Sequence, residues 1–326
     1  MAPCSFQIRK AGLPMQVTRP SVSFVIPAYN GSTVIGEAIR SILDANFEEN
    51  DELIVVDDDS TDSTLQVVTR LQQSCSAIRI LRHRENKGTS AASMNTGVEA
   101  AANSLIFCLD QDNLLVKGSI LGLVNHLLAS GAGAAAFGEI HFFETNPEAI
   151  THRWQFQPRI TLAGALSGHF WPGGSGNYLF TRESWERAGR YHEPYLENRS
   201  LDCWTFAIRQ LGTGTHFVTL PGSFYFHRYG HTSMYVREWK KGNRSLAALI
   251  ALIPFLDQIE VEDIEYLFGK DGRDTWFERL AERPIRTRTT LPGEDGALRT
   301  LRVAVRRRLR REVASWLQKA SERIRG

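Results

Sequence analysis

Short apolar strands alternate with amphipathic helices through the first third of the chain, and this alternation limits the fold more than any other feature. Residues 22–28 and 52–57 are typical of buried strands, being short, rich in Val and Ile, and followed by polar or turn residues. Between them, residues 32–43 carry apolar side chains at helical spacing. The pattern continues with a helix over 63–73, a strand over 78–81, a helix over 90–102 and a strand over 105–109. We therefore predict an α/β fold with a mostly parallel sheet and helices on both of its faces.

The alternation loosens beyond residue 131. Further strands are predicted near 134–139, 153–156, 217–219 and 223–227, a glycine-rich stretch covers 172–176, and a helix is predicted to begin near Asp202. We expect one continuous domain over 21–240, preceded by an N-terminal extension over 1–20. A helical region over 241–326 is expected to follow it.

The composition narrows the class of protein. With 42% hydrophobic and 23% charged residues, the chain is unlike disordered or collagen-like proteins. Its four cysteines form no C-x-x-C pair, which argues against a structural metal or a disulfide framework and favours a reducing compartment. The longest apolar run, over 246–255, contains Pro254 and is shorter than the ~20 residues of a membrane span. We therefore expect no membrane-spanning segment.

Two acidic residues follow the strand predicted over 105–109. Because side chains two residues apart lie on the same face of a strand, Asp110 and Asp112 should project together from its end. Two carboxylates ~4 Å apart repel each other by about 4 kcal/mol at an effective dielectric constant of about 20, so such a pair needs a cation or a proton between them. A hard divalent cation is one solution. The alternative is a turn whose acidic side chains are solvated.

A second acidic segment, VVDDDSTD at 55–62, lies at the end of a predicted strand and opens a helix. Asp59, Ser60 and Thr61 are residue types that cap helix N-termini. Capping does not account for Asp57 and Asp58, whose carboxylates could accept hydrogen bonds from a nucleobase N–H group or from ribose hydroxyls. Since ligands of parallel α/β sheets bind beyond the carboxyl ends of the strands, both acidic segments are candidate binding sites.

Four segments occur in the order and approximate spacing of a known family. They are PAYN at 27–30, VDDDSTD at 56–62, NKGTSAASMNTG at 86–97 and DQD at 110–112. In these segments the chain resembles the GT-A glycosyltransferases, and most of all the inverting family 2. The resemblance implies a GT-A (Rossmann-like) fold, with a nucleotide-binding half over 21–115 and an acceptor and catalytic half over 116–240.

The resemblance also implies a nucleotide-sugar site. In similar enzymes the first loop and the first acidic cluster hold the uridine of the donor, a role that falls here to Pro27, Tyr29, Asn30, Asp57 and Asp58, with Arg84 or Lys87 nearby. A tyrosine at position 29 can stack on a base, although a core aromatic is the alternative. By the same resemblance, Asp110 meets the ribose or sugar and Asp112 meets a metal ion, and both are candidate metal ligands.

The second half is expected to supply a base, because an attacking acceptor hydroxyl must lose its proton to a positioned group. The family carries an E-D pair before a helix; Leu201 replaces the Glu here, and Asp202 is the candidate base, with capping of its own helix as the alternative. His227 is the candidate third metal ligand and His231 its alternative. An imidazole ligand would favour Mn²⁺ over Mg²⁺. The sugar and acceptor pocket is expected to include Trp171, Gly174 and Asn177.

The C-terminal tail differs from the rest of the chain. Residues 299–326 contain ten Lys and Arg residues against two Glu, with apolar residues three or four positions apart. This is the pattern of a basic amphipathic helix. It is compatible with packing on the domain or a partner chain, with contact to an anionic membrane surface, or with nucleic acid binding. We favour the membrane surface and expect no nucleic acid partner, because no fold-level feature supports one.

The sequence therefore predicts a metal-dependent inverting glycosyltransferase that uses Mn²⁺ or Mg²⁺. It would transfer a sugar from a nucleotide donor, expected to be a UDP-sugar, to a hydroxyl of a lipid-linked, envelope or cell-surface glycan. We expect it to be cytoplasmic and peripheral on the inner face of the membrane. Two alternatives remain: a sugar-nucleotide-binding relative without catalysis, and a sugar-1-phosphate nucleotidyltransferase.

Overall fold

The computed structural model describes residues 19–166, 172–192 and 202–230, together with isolated positions between 255 and 314. Among the described residues, no helix combines the length and the apolar character that a bilayer crossing requires.

Strands and helices alternate through the first half of the domain. In chain order they are β1 (Val22–Ala28), α1 (Ile35–Leu43), β2 (Glu52–Asp57), α2 (Thr64–Ser74), β3 (Ile78–Arg82), α3 (Ser90–Ala100), β4 (Leu105–Cys108), β5 (Leu114–Leu115) and α4 (Ser119–Ser130). The second half has longer strands and shorter helices. They are β6 (Ala134–Phe143), β7 (Ile150–Gln155), β8 (Arg159–Ile160), α5 (Leu162–Leu166), a 3₁₀ turn at Pro172–Gly174, β9 (Leu179–Thr181), α6 (Arg182–Arg187), α7 (Asp202–Gly212) and β10 (Phe217–Arg228).

All ten of these strands join one sheet, whose main path runs β3-β2-β1-β4-β9-β6-β10-β5. The β3, β2, β1 and β4 strands are parallel neighbours, and β6 and β10 are also parallel. The β9 strand pairs antiparallel with both β4 and β6, and so joins the two parallel groups. The carboxyl ends of β1, β2 and β4 therefore share one edge of the sheet.

Helices cover both faces of the sheet, as predicted. The α1, α2 and α4 helices contribute to one apolar core, in which Ile35, Val68 and Ile120 are buried. The α3, α6 and α7 helices contribute to a second core on the opposite face, with Met94 and Phe206 fully buried. The central parallel strands β1, β2 and β4 are thus enclosed by apolar side chains on two sides, which explains why β1 is buried along its whole length.

The predicted strands over 22–28 and 52–57 are confirmed at both ends. The helix predicted over 32–43 begins later, at Ile35. The two strands predicted at 217–219 and 223–227 are one strand, β10, because a register shift between Leu220 and Phe224 lets it continue past Pro221. Most of the predicted C-terminal helical region lies outside the described residues, although the described positions between 303 and 314 are helical.

Gly97 on α3 permits the close approach of this helix to the sheet. A Cβ atom added at Gly97 would lie 2.3 Å from Cγ1 of Val25 and 3.3 Å from Cγ2 of Val56. Both valines are fully buried in strands β1 and β2, so neither can move aside without disturbing the core.

We expect Gly97→Ala to reduce the free energy of unfolding by about 1–3 kcal/mol, because it overpacks the contact between α3 and the sheet. The measurement is urea denaturation followed by circular dichroism. Gly36→Ala on α1 is the matched control, since a Cβ atom there meets nothing closer than Nη1 of Arg40 at 3.4 Å. The control should be neutral or stabilising, and equal destabilisation by both variants would contradict the packing argument.

Candidate active site

Hydrogen bonds within the protein hold the loop after β1, which is the first loop of the site. The Asn30 side-chain Oδ1 accepts hydrogen bonds from Thr61 N at 2.9 Å and from Asp62 N at 3.3 Å. Asn30 itself adopts a left-handed backbone with φ of 47°, a conformation that Asn tolerates better than most residues. The side chain predicted to contact the nucleotide therefore ties the loop after β1 to the loop after β2.

Asp62 completes this connection from the other side. Its carboxylate accepts hydrogen bonds from Ser32 N at 3.1 Å and from Thr64 N at 2.9 Å. Partial burial alone would raise its pKa, but hydrogen bonds from Thr64 and Ser32 outweigh that effect and lower the pKa to about 2. The loops after β1 and β2 thus form one hydrogen-bonded unit.

Asp58 organises the loop after β3. Its carboxylate accepts hydrogen bonds from Lys87 N at 3.0 and 3.1 Å and from Gly88 N at 3.2 Å, and it lies 2.6 Å from Nδ1 of His83. The Nε2 atom of the same imidazole lies 3.0 Å from the Thr96 hydroxyl. Asp58 is therefore surrounded by partners within the protein.

Among the described residues, Asp57 has fewer hydrogen-bond donors than Asp58, and so has more capacity to accept a hydrogen bond from a ligand. It is 1% exposed, and its Oδ1 accepts a hydrogen bond from Ser60 N at 3.3 Å. Its Oδ2 lies 3.2 Å from Nε of Arg82 but makes no hydrogen bond with any described residue. A buried carboxylate oxygen without a donor is costly unless a ligand supplies one.

The other residues predicted to hold the donor are placed differently. Pro27 is buried within β1, whereas Tyr29 is 45% exposed just beyond it. The Arg84 and Lys87 side chains are exposed, and Lys87 Nζ lies 2.9 Å from a carboxylate oxygen of Glu85. The interpretation of Tyr29 as a core aromatic is thus wrong, and its ring is available to stack on a ligand.

Asp110 and Asp112 lie in the turn after β4, where Arg228 Nε also donates to Asp112 O at 3.2 Å. Burial, and then the nearby charges of Asp112 and Asp202, raise the pKa of Asp110 to about 7. Burial also raises the pKa of Asp112. Both residues are half-buried, and the Asp110 carboxylate interacts with the neighbouring Asp112 and with Asp202, which is far away in the sequence.

Two amide side chains hold Asp110. Asn177 Nδ2 donates to Oδ2 of Asp110 at 3.0 Å, and Asn177 Oδ1 accepts from Asp110 N at 2.8 Å. Asn113 Nδ2 donates to the same Oδ2 at 3.3 Å. Asn177 was expected to contact sugar or acceptor, but it is 1% exposed and its contacts position Asp110.

His227, at the end of β10, approaches the acidic turn through Asn113. Its Nδ1 lies 3.3 Å from Nδ2 of Asn113 and 3.2 Å from the hydroxyl of Tyr225. Because the amide N–H group can only donate, Nδ1 is the acceptor and the ring proton belongs on Nε2. Burial, and then the nearby His152, lower its pKa to about 4, so the imidazole is neutral at physiological pH.

Asp202 begins α7 and binds the start of a different helix, α3. Its Oδ2 accepts hydrogen bonds from Ala91 N at 3.1 Å and from the hydroxyl of Ser90. Its Oδ1 accepts from Cys203 N at 2.8 Å. Burial raises its pKa despite these donors. The carboxylate thus caps α3 more than the helix that it begins.

Three positions named in the sequence analysis, Trp171, Leu201 and His231, lie outside the described residues. Gly174 lies in the 3₁₀ turn. Among the described residues, no three His, Cys, Asp or Glu side chains form a ready-made metal cluster. His227 is therefore not joined to Asp110 and Asp112 as a complete ligand set in this structure.

No individual role was assigned from the sequence to four further polar side chains of the site, which are His83, Ser90, Gln111 and Asn113. Gln111 and Asn113 adjoin the aspartates of the DQD segment, and this adjacency was the available signal. Nothing in the local sequence links Ser90 to Asp202, because their contact spans 112 positions.

A mixed α/β sheet with acidic side chains at the carboxyl ends of its parallel strands is the arrangement of the GT-A class, so the predicted fold is confirmed. Residues 23–189 match the family described as Glycosyl transferase family 2. The match covers more than half of the chain, and the chain belongs to this family.

Individual relatives match over a smaller share of the chain. The Escherichia coli UDP-Glc:alpha-D-GlcNAc-diphosphoundecaprenol beta-1,3-glucosyltransferase WfgD is 35% identical over 99 residues, which are 30% of this chain and 38% of that protein. Several other curated relatives are covered over only 32% to 43% of their length.

Two solved structures share the fold. Residues 1–349 of Staphylococcus aureus TarS in complex with UDP-GlcNAc match with a TM-score of 0.55 at 16% identity, over 80% of this chain and 74% of that one. The mannosyltransferase PcManGT from Pyrobaculum calidifontis, in complex with GDP-Man and Mn²⁺, matches with a TM-score of 0.54 at 17% identity, over 94% and 80%. At these identities the similarity extends to the fold alone.

The raised pKa of Asp110 has a measurable effect on stability. A carboxyl whose pKa rises from 3.8 in the unfolded chain to about 7 in the folded protein makes the folded state lose stability as the pH rises through that interval. Asp110→Asn removes this loss, so we expect it to increase the free energy of unfolding by about 1–3 kcal/mol at pH 8. The gain should be smaller at pH 5. Urea denaturation in a chelating buffer at both pH values measures it.

Asp44→Asn, at an exposed position after α1, is the control and should change stability little at either pH. A gain for Asp110→Asn that is as large at pH 5 as at pH 8 would show that ionisation of this carboxyl is not the cause.

Proposed function

We propose that this family 2 protein is a metal-dependent inverting glycosyltransferase that moves a sugar from a UDP-sugar to an acceptor hydroxyl. The observation that carries the proposal is the electrostatic interaction of Asp110 with Asp112 and Asp202 at the carboxyl edge of the parallel strands, where burial raises the pKa of each. Such a site suits a reaction that needs a bound cation and a proton acceptor close together.

The donor base is proposed to bind between Tyr29 and Asp57. The half-exposed ring offers a flat apolar face, and the buried Oδ2 of Asp57 can accept a hydrogen bond from a base N–H group. Asp58 would act indirectly, by holding the loop that carries Lys87. The UDP-Glc in the name of WfgD and the UDP-GlcNAc bound by TarS support a uridine donor, while the GDP-Man bound by PcManGT is the alternative.

The residues of the acidic turn fit a divalent cation. The carboxylates of Asp110 and Asp112 supply the oxygen ligands that hard cations prefer, and the described hydrogen-bond donors to the Asp110 side chain are neutral amides. His227 could add Nε2 only in the tautomer that carries the ring proton on Nδ1, which would cost the Nδ1 contact with Asn113; in that form an imidazole ligand would favour Mn²⁺. When bound, such an ion supplies Lewis-acid stabilisation of the diphosphate leaving group.

Asp202 is proposed to accept the proton of the attacking hydroxyl. Its described donors are the Ser90 hydroxyl, the N–H groups of Ala91 and Cys203, and the Cys203 thiol; none of them is charged, so the carboxylate can still take up a proton. Its raised pKa brings the carboxylate closer to the range in which a general base works efficiently. One direct displacement with one base inverts the anomeric carbon and requires no enzyme nucleophile.

We expect Asp202→Asn to lower the turnover rate by about 10²- to 10⁴-fold, the usual contribution of a general base. Release of UDP from a panel of UDP-sugars, with Mn²⁺ and a mixture of lipid-linked and glycan acceptors, measures the rate. UDP affinity, measured by calorimetry, should change much less, because the donor is proposed to bind through other residues. Asp44→Asn is the control and should leave both quantities unchanged.

The outcomes separate the possible functions. UDP binding without turnover by the unmodified protein would favour a non-catalytic relative, and formation of UTP from a UDP-sugar and pyrophosphate would favour a nucleotidyltransferase. Turnover that persists in Asp202→Asn would exclude Asp202 as the base.

The basic tail is proposed to hold the enzyme at an anionic membrane surface, on the cytoplasmic side, near lipid-linked acceptors. The described arginines of the tail are exposed, as are Val303 at 52% and Val313 at 55%. They are Arg306, Arg307, Arg310 and Arg311, of which Arg307 also pairs with Glu262 at 3.0 Å. Exposed arginines and valines at these helical positions match the composition of a membrane-contacting helix surface.

Replacing these four arginines with Gln should weaken binding to vesicles containing phosphatidylserine by at least about tenfold, because each basic residue contributes roughly 1 kcal/mol near an anionic surface. Co-sedimentation measures the binding, and neutral phosphatidylcholine vesicles serve as the control. Equal binding by the variant, or no binding by the unmodified protein, would remove membrane contact from the proposal.

A further inference from the structure

Gln111, which lies between the two acidic residues of the turn, spans the site to reach the first loop. Its Oε1 accepts a hydrogen bond from Tyr29 N at 3.0 Å, and its Nε2 donates to Tyr29 O at 3.0 Å. One side-chain amide therefore satisfies both backbone groups of the residue that presents the exposed ring.

This contact begins where the sheet ends. The register of β1 and β4 stops at the pair Val25 and Cys108, and one further backbone bond runs from Leu109 N to Val25 O at 2.9 Å. Beyond this point the two chains separate into loops. The Gln111 amide makes the two backbone hydrogen bonds to Tyr29 that a neighbouring strand would otherwise make. It therefore extends the connection between β1 and β4 into the site.

The neighbouring backbone leaves the amide little room. A Cβ atom added at Gly31 would lie 2.2 Å from Oε1 of Gln111, so a larger residue there would displace the amide from Tyr29. On the other side, Asn30 N donates to the Ser60 hydroxyl at 3.0 Å, and Gly31 N donates to the Thr64 hydroxyl at 2.8 Å. The loop after β1 thus contacts the acidic turn through Tyr29 and the segment after β2 through Asn30 and Gly31.

We propose that Gln111 is a positioning residue for donor binding, which fixes the Tyr29 backbone so that the ring is preorganised for the base at a set distance from Asp110 and Asp112. This inference rests on the proposed nucleotide-sugar function. The amide is required because it is both donor and acceptor: a carboxylate would face the Tyr29 carbonyl with no proton to donate, and an aliphatic side chain would serve neither group.

The test compares Gln111→Leu and Gln111→Glu with the unmodified protein by two measurements. Hydrogen exchange of the Tyr29 amide, followed by NMR or mass spectrometry, should be faster in Gln111→Leu and nearly unchanged in Gln111→Glu, which retains the acceptor. The dissociation constant for UDP, from calorimetry, should rise about five- to tenfold in both variants, the effect of losing one or two net hydrogen bonds. Gln66→Leu, on the exposed side of α2, is the control and should alter neither measurement.

A double-mutant cycle with Tyr29→Ala separates positioning from a general loss of structure. If Gln111 acts through Tyr29, then Gln111→Leu should change UDP affinity less than twofold in the Tyr29→Ala background. An equal loss in both backgrounds, or unchanged Tyr29 exchange in Gln111→Leu, would overturn the positioning role while UDP binding by the unmodified protein stands. Failure of the unmodified protein to bind UDP would instead refute the proposed function.

Discussion

Three carboxylates drawn into one poorly solvated edge of the sheet are the constraint on which the rest of the site depends. The parallel pairing of β1 with β4 places Asp110 beyond the sheet, and the N-terminus of α7 brings Asp202 near it. Burial opposes ionisation of each group, and their mutual repulsion adds to the cost. Carboxyl groups with pKa values perturbed in this way cluster at functional sites, which agrees with the role proposed for this edge.

Much of the polar sequence around this edge maintains the loops and does not face a ligand. Asn95 illustrates the division: its Nδ2 donates to Tyr191 O and its Oδ1 accepts from Tyr191 N, both at 2.9 Å. The side-chain oxygens of Asn30 and Asp58 likewise accept hydrogen bonds from backbone N–H groups. Because loops lack the regular hydrogen bonds of a sheet, their backbone groups need side-chain partners. A motif residue can therefore be essential to a binding site that it never touches.

The sequence predicted the first half of the fold well because β1 and β2 are enclosed on both faces and read as continuous apolar runs. It could not predict β5 or β9, whose two and three residues are too few for a periodic pattern. The acidic members of the site followed from strand ends, since that rule is local. Their partners did not, because Asn177 is 67 positions from Asp110 and only tertiary packing joins them.

The neutrality of those partners is itself informative about the chemistry. If Lys or Arg side chains donated to Asp110, its charge would be compensated within the protein and its pKa would fall. Asn113 and Asn177 orient the carboxylate without neutralising it. The amides thus fix the orientation of the carboxylate but leave its negative charge uncompensated, and a bound cation could compensate it. His227 meets the same turn through Asn113, and its neutral imidazole brings no positive charge that would compete with a cation.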